Sequence, residues 1–154
     1  MPFGKQSLGE KGFLFARIEF PEGLISVLNL HLDFRSRIRR LAQVEQVIRF
    51  LHDELSSPGD PLLHRPIVCG DFNARATLRR DAVAQLFSYM KNHHEYSLHP
   101  TGARSFPAHS PLKCVDFIFL PEPMQCTACQ TIRSYVSDHR PVFMKFAIPE
   151  PAGP

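Results

Sequence analysis

The apolar positions of the chain follow a period of two in some stretches and of three to four in others. The switches between the two periods divide it into elements. In Gly12–Phe20, Ala16, Ile18 and Phe20 alternate with Arg17 and Glu19, the pattern of a strand with one covered face. Pro21-Glu22-Gly23 reads as a turn, so this strand and the next run are expected to form a hairpin. That run, Leu24–Leu32, is almost continuously apolar, as in a central strand covered on both faces, with Asn29 and His31 on one side. From Ser36 to Leu55 the period turns helical: Ile38, Leu41, Val44, Ile48, Leu51 and Leu55 make one stripe, ended by Ser56-Ser57-Pro58-Gly59.

Pro66–Phe72 is again a buried strand. Strand, helix and strand make a βαβ-like unit, so the Leu24 and Pro66 strands are expected to run parallel in one sheet. A second amphipathic helix spans Leu78–Asn92, with Ala82, Val83, Leu86, Phe87 and Met90 inward. Ser97–Lys113 reads as a loop, Cys114–Leu120 as a strand, Pro121–Gln130 as a loop and Val142–Ile148 as the closing strand. Residues 1–11 read as a loose start and 149–154 as a disordered tail. The class is α/β, with a single domain over residues 1–148.

Composition narrows this picture only a little. A chain of 154 residues, 44% hydrophobic and 21% charged, is globular, and its net charge of +3 does not by itself imply nucleic acid. No apolar run approaches the length of a membrane helix, and the N-terminus lacks the apolar core of a signal peptide, which makes the cytoplasm the default compartment. Of the four cysteines, Cys69 and Cys114 lie in apolar runs. Cys126-Thr-Ala-Cys129 has redox or zinc spacing, but no second pair completes it. His93-His94-Glu95 likewise lacks further ligands nearby and suits a helix end. Arg35, Arg37, Arg39 and Arg40 crowd the start of the first helix, where the dipole favours acids. They form either a solvated face or part of a site that handles anions.

The chemistry collects at strand ends. Gly70-Asp71-Phe72-Asn73 closes one strand, and Asp71 and Asn73 can point the same way while Gly70 lets the backbone approach a neighbour closely. An Asx turn at a strand end would use the same residues. His31 ends another strand, and Asp138-His139 precedes the last one. Asp116 is the one acid in a strand otherwise apolar, so it needs a donor or a cation. These residue types suit metal-assisted phosphoester hydrolysis. Carboxylates hold Mg2+ or Mn2+, an Asp activates water, Asn73 positions water or a phosphoryl oxygen, and Asp116 orients a histidine.

The ordered set Asn29-Leu30-His31-Leu32, Arg40 with Gln43, Gly70-Asp71-Phe72-Asn73, Val115-Asp116-Phe117-Ile118 and Ser137-Asp138-His139-Arg140-Pro141 resembles the endonuclease/exonuclease/phosphatase superfamily. These are the deoxyribonuclease-I-like metal-dependent phosphoesterases. The resemblance implies a partial four-layer α/β sandwich, with mixed sheets flanked by helices. It implies that His139 acts on the scissile phosphate, that Asp116 orients it, and that Asp71 activates or positions the water. Asn73 would hold the water or the phosphate, and His31 would contact a phosphate oxygen. It places Asp138, with Asp71 and Asn73, at a Mg2+ or Mn2+ site, and Arg40, Ser105 and Phe106 on the substrate side. Family members carry an earlier Asn and a Glu that is the main metal ligand. This chain looks like the portion after both, since Glu10, Glu19 and Glu22 do not match that context. Weak metal affinity is expected, and an uncovered apolar sheet face that invites self-association or another chain. The substrate is a phosphate ester, with nucleic acid and a lipid headgroup both open, and the nearest likeness is to bacterial hydrolases and sphingomyelinase-like members. The other reading is a catalytically impaired fragment that binds or needs a partner chain.

Overall fold

The computed structural model describes residues 11–21, 23–56 and 65–148. The expectations for the start, the tail, Glu22 and the helix stop at Ser57-Pro58-Gly59 lie outside these residues. A hairpin opens the fold: β1 (Gly12–Phe20) runs antiparallel to β2 (Gly23–His31), in register from Gly12 opposite His31 to Phe20 opposite Gly23. Helix α1 (Arg37–Leu55) carries the chain over to β3 (Ile67–Asp71), which pairs parallel with β2 as the βαβ pattern requires. Helix α2 (Ala82–His93) leads to the short β4 (Tyr96–His99), and β5 (Asp116–Pro121) inserts antiparallel between β3 and β4. The sheet order is β1-β2-β3-β5-β4. Strands β6 (Gln125–Thr131) and β7 (Val142–Ala147) form a separate antiparallel pair.

Side-chain alternation assigns each face of the main sheet a different cover. Phe13, Leu28, Leu30, Val68, Phe117 and Phe119 face the helices and join Val44, Val47, Leu51, Val83, Leu86 and Met90 in the main core. Ile25, Ile67 and Leu120 face the other way and pack with Met124, Met144 and Phe146 from the β6–β7 side. Helices, five-stranded sheet and two-stranded sheet are thus stacked as three layers, part of the expected sandwich. The outer part of the second face is open: Leu14 and Ile18 of β1 share it and are 65% and 42% exposed.

Several elements differ from the expectation, each for a local reason. The inward stripe of α1 is Arg40, Gln43, Val44, Val47 and Leu51, while Ile38 is 80% exposed, because the first turn buries polar side chains that find partners. Helix α2 begins at Ala82 rather than Leu78, since the carboxylate of Asp81 caps it by accepting from the Ala82 amide, and residues 75–81 form turns instead. Strand β4 lies in what reads as a loop. It is four residues long and its pattern is too short to register. Strand β6 also lies in an expected loop. Its sequence is small and polar, it contains a register shift between Cys126 and Ala128, and β7 supplies its ladder.

Candidate functional site

Strand register builds the site. His31 is paired with Asp71, and Asp71 with Asp116, so three polar side chains stand in one row across β2, β3 and β5, on the face away from the helices. Gly70 makes the row possible. Its φ is +137°, and a Cβ there would lie 2.0 Å from the Leu30 carbonyl oxygen, a contact no side chain tolerates. The ladder continues past the strand ends, with the Leu32 amide donating to Asp71 O (2.9 Å) and the Phe72 amide to Val115 O (2.9 Å). Phe72 is fully buried and anchors the turn between Asp71 and Asn73.

The Asx turn and the site are the same object. The Asn73 amide donates to Asp71 Oδ1 (2.8 Å), and Asn73 Nδ2 donates to Asp71 Oδ2 (3.0 Å) and to Leu32 O (3.0 Å). Asn73 holds a φ of 49°, a left-handed conformation that this set of bonds sustains. The Asn73 side chain therefore fixes the Asp71 carboxylate, and Asn73 Oδ1 takes no part in these bonds.

His139 arrives from the segment before β7. Its Nδ1 donates to Asp116 Oδ2 at 2.8 Å, which turns Nε2 towards Asp71 Oδ2, 3.8 Å away. Two loops are clamped together to place it. The Ala108 amide donates to Asp138 O (2.7 Å), the Arg140 amide to Ser105 O (2.8 Å), and Arg140 Nε to Ala108 O (2.8 Å). The Phe106 ring then lies 4.7 Å from the His139 ring, tilted by 44°. His31 Nε2 is 3.4 Å from Asp71 Oδ2, and Lys11 Nζ contacts the His31 ring. Asp138 is exposed at the rim, its carboxylate accepting from Ser137 Oγ (3.3 Å). Lys11, His31, Asp71, Asn73, Phe106, Asp116, Ser137, Asp138 and His139 line one cleft of about 530 Å3, together with Phe34.

The electrostatics are those of a strained acid cluster. Burial, helped by the Asp116 charge, pushes the Asp71 carboxyl up to about 6 against the backbone bond from Asn73. Burial alone pulls the His139 imidazole down, but the Asp116 hydrogen bond and the charges of Asp116, Asp71 and Asp138 outweigh it and raise its pKa. Burial, then the Lys11 and His139 charges, lower that of His31.

A divalent cation fits this donor set. Ligand atoms of Asp71, Asp116 and His139 lie within 4.8 Å of one another, and Asp71 is a carboxylate short of positive charge. Because His139 and Asp116 are bonded to each other, Asp71 with Asn73 Oδ1 and Asp138 are the groups best free to hold it. Among the described residues no glutamate lines the cleft.

The structure brings together His31, Asp71, Asn73, Asp116, Phe106, Asp138 and His139. It does not bring Arg40 or Ser105 to the cleft. Arg40 is buried, with Nε and Nη2 bonded to Asp81 at 3.1 and 2.7 Å and Nη1 donating to Asp33 O. The fork that could grip a phosphate is taken up by joining α1 to α2. Gln43 of the same motif accepts from the Asp33 amide (2.8 Å), so Arg40 and Gln43 shape the loop after β2. Ser105 is fully buried and acts through its backbone. The other arginines at the start of α1 are also engaged with protein. Arg37 donates to Arg80 O, and Arg39 lies 3.8 Å from Asp33. Two residues of the cleft escaped the sequence reading. Lys11 carried no signal at all. Phe34, an apolar residue in a polar loop just past a strand end, carried a faint one. His93 packs on Tyr89, ring centroids 4.5 Å apart, and the cysteines are free.

No protein-family model matches the sequence and no curated protein does. Solved structures do match in shape. A mannosyl-6-phosphatase of Bacteroides thetaiotaomicron is 15% identical, with a TM-score of 0.71 over 94% of this chain and 60% of its own. An endonuclease/exonuclease/phosphatase family protein of the same organism is 14% identical, with a TM-score of 0.68 over 96% and 59%. The catalytic domain of human Nocturnin, bearing a sulfate anion, is 19% identical, with a TM-score of 0.64 over 90% and 53%. The chain spans just over half to three fifths of the length of these structures. The chain shares the deoxyribonuclease-I-like α/β fold of these structures, the fold that the motif resemblance implies.

Proposed function

We propose that the chain hydrolyses phosphate esters with a divalent cation, Mg2+ or Mn2+, at the cleft between β2, β3, β5 and the Ser137–Arg140 segment. The observation that carries this reading is the Asp116–His139–Asp71 relay. One carboxylate fixes the proton on Nδ1 at 2.8 Å, and the second faces Nε2 at 3.8 Å. That is the arrangement of an oriented imidazole opposite a base. Asp71 takes a proton from the attacking water. His139 in its protonated form faces the phosphoryl oxygens or the leaving oxygen. Lys11 adds positive charge on the near side, His31 offers its imidazole as a hydrogen-bonding group there, and Phe106 limits how the His139 ring can turn. The cation, when bound, supplies charge neutralisation of the phosphoryl group and lowers the pKa of water. The mannosyl-6-phosphatase and the endonuclease/exonuclease/phosphatase family protein that share this fold support the reaction class.

A second observation favours a companion chain or segment at this fold. The exposed Leu14 and Ile18 share a sheet face with the buried Ile25, and the structural neighbours extend well beyond the length matched here. A second copy of the chain or another chain packed on this face would cover it. No helix among the described residues is long and apolar enough to cross a membrane.

The test of the activity is hydrolysis of bis(p-nitrophenyl) phosphate by the full chain over a titration of Mg2+ and Mn2+. Metal-dependent turnover lost on chelation is the expected result. Rates equal to the buffer blank at every metal concentration would reject the activity for this chain alone.

A further inference from the structure

The arginines at the start of α1 have no role in the mechanism above. Asp33 and Asp81, the acids that bound this part of the surface, are both buried; Asp81 takes Arg40, and Asp33 lies 3.8 Å from Arg39. Arg35, Arg37, Arg75, Arg79 and Arg80 are exposed, and among the described residues none of them forms an ion pair with a carboxylate. Arg37 Nε donates to Arg80 O at 2.8 Å, which joins residues 34–39 and 75–80 in one patch. A backbone carbonyl carries no net charge, so this bond leaves both positive charges in place. The first turn of α1 holds no acid, and its arginines stand against the helix dipole.

Three large apolar side chains project from the same patch. Ile38 is 80% exposed, Phe34 59% and Leu78 48%. The Arg35 guanidinium lies 4.9 Å from the centroid of the Phe34 ring. Cations alone make an ordinary solvated face, and single exposed apolar residues need no account. Here the two kinds alternate, with no acid in residues 34–39 or 75–80. That combination suits the surface of an anionic bilayer. Arginines are drawn to the negative headgroups, and aliphatic chains enter the boundary between headgroups and acyl chains. A nucleic-acid surface would use the same arginines, but it gains little from aliphatic chains such as Ile38 and Leu78 projecting between them.

We propose that residues 34–39 and 75–80 form a docking surface for an anionic lipid bilayer, with Arg35, Arg37, Arg79 and Arg80 at the headgroups and Ile38 and Leu78 inserted. Phe34 belongs both to this surface and to the lining of the reactive cleft, so a docked chain holds the cleft beside the bilayer. Docking requires no hydrolysis and stands apart from the phosphoesterase reading.

The chain contains no tryptophan, so Ile38→Trp places a single fluorescent reporter within the patch. Its emission is followed with vesicles of phosphatidylcholine alone and with vesicles that also contain phosphatidylserine. Co-sedimentation of the parent chain with the same vesicles measures partitioning. The expected results are a blue shift and co-sedimentation with the anionic vesicles only, both weakened by salt. Arg35→Gln, Arg79→Gln and Arg80→Gln combined should weaken partitioning by about tenfold or more. Lysine at the same three positions keeps the charge and should retain partitioning, which separates lost charge from lost folding. A thymidine oligonucleotide, followed by fluorescence anisotropy, probes the competing partner. No co-sedimentation at low salt, co-sedimentation that the glutamine variant retains in full, or an Ile38→Trp emission unmoved by anionic vesicles would overturn the proposal. Oligonucleotide binding that depends on these arginines, with that emission unmoved by vesicles, would make the patch a nucleic-acid surface instead.

Discussion

Two charge clusters flank the same sheet, one buried and one half-buried, and they behave in opposite ways. On the helix side, Asp81 is buried against Arg40. Burial pushes its carboxyl up, but the bidentate Arg40 bond and the Ala82 amide more than reverse this, and the pKa ends below the usual carboxylate range. On the other side, Asp71 is half-buried beside a second carboxylate, Asp116, and its pKa rises to about 6. The first cluster is a brace, with every charge matched within hydrogen-bonding distance. The second holds a surplus of acid that only a proton, a cation or a substrate complex can relieve. Strong burial alone does not mark a reactive site; an unbalanced charge in a cleft does.

The contrast can be broken from either side. On the reactive side, His139→Ala should lower kcat by about 100- to 10,000-fold, as loss of an acid–base group does, with the unfolding midpoint in urea nearly unchanged. On the bracing side, Arg40→Ala should lower stability by roughly 3–5 kcal/mol, the effect of stranding a buried partner, measured as a shift in the urea midpoint. Activity per folded molecule should stay close to that of the parent, since Arg40 does not reach the cleft. A loss of activity larger than the loss of folded protein would return Arg40 to the substrate side.

Asp71→Asn should separate stability from function within one residue. A carboxyl whose folded pKa lies near 6 holds its proton more tightly folded than unfolded, where 3.8 applies. Stability in chelator therefore falls as pH rises from about 4 to 6 and stays lowered above that. Removing the charge should recover roughly 1–3 kcal/mol at pH 7 and flatten that slope, while abolishing turnover. Addition of Mn2+ should raise the parent's melting temperature and not the variant's. The smallest effect is expected at Phe106. Phe106→Leu removes one ring contact of about 0.5–1.5 kcal/mol, so KM for a ring-bearing ester should rise a few-fold with kcat little changed.

How much of this was legible beforehand differs by region. The hairpin, the parallel β2–β3 pair, both helices and the strands carrying Asp71 and Asp116 follow from periodicity, because each buries a continuous apolar face. Strands β4 and β6 do not, because their pairing partners rather than their own residues make them strands. The convergence of His31, Asp71, Asp116 and His139 was readable from polar residues at strand ends and from the motif order. The role of Arg40 was not, since a sequence cannot show that Asp81, in a turn 41 residues on, takes its guanidinium. Ile38 was misplaced for the same reason: the first turn of α1 turns its polar side inward to meet that partner. The place of Lys11 in the cleft and the joining of residues 34–39 to 75–80 in one patch are the work of the fold alone.

The central claim is that Asp116, Asp71 and His139 act as one coupled hydrolytic unit. The pH dependence of kcat/KM for bis(p-nitrophenyl) phosphate, in the parent and in Asp116→Asn at saturating Mn2+, tests it most directly. Asp116 raises both of its neighbours. The account predicts a bell whose acid limb lies at or below pH 6, with both limbs moving to lower pH and the maximum falling in the variant. Limbs that stay in place, with the parental rate retained, would contradict it.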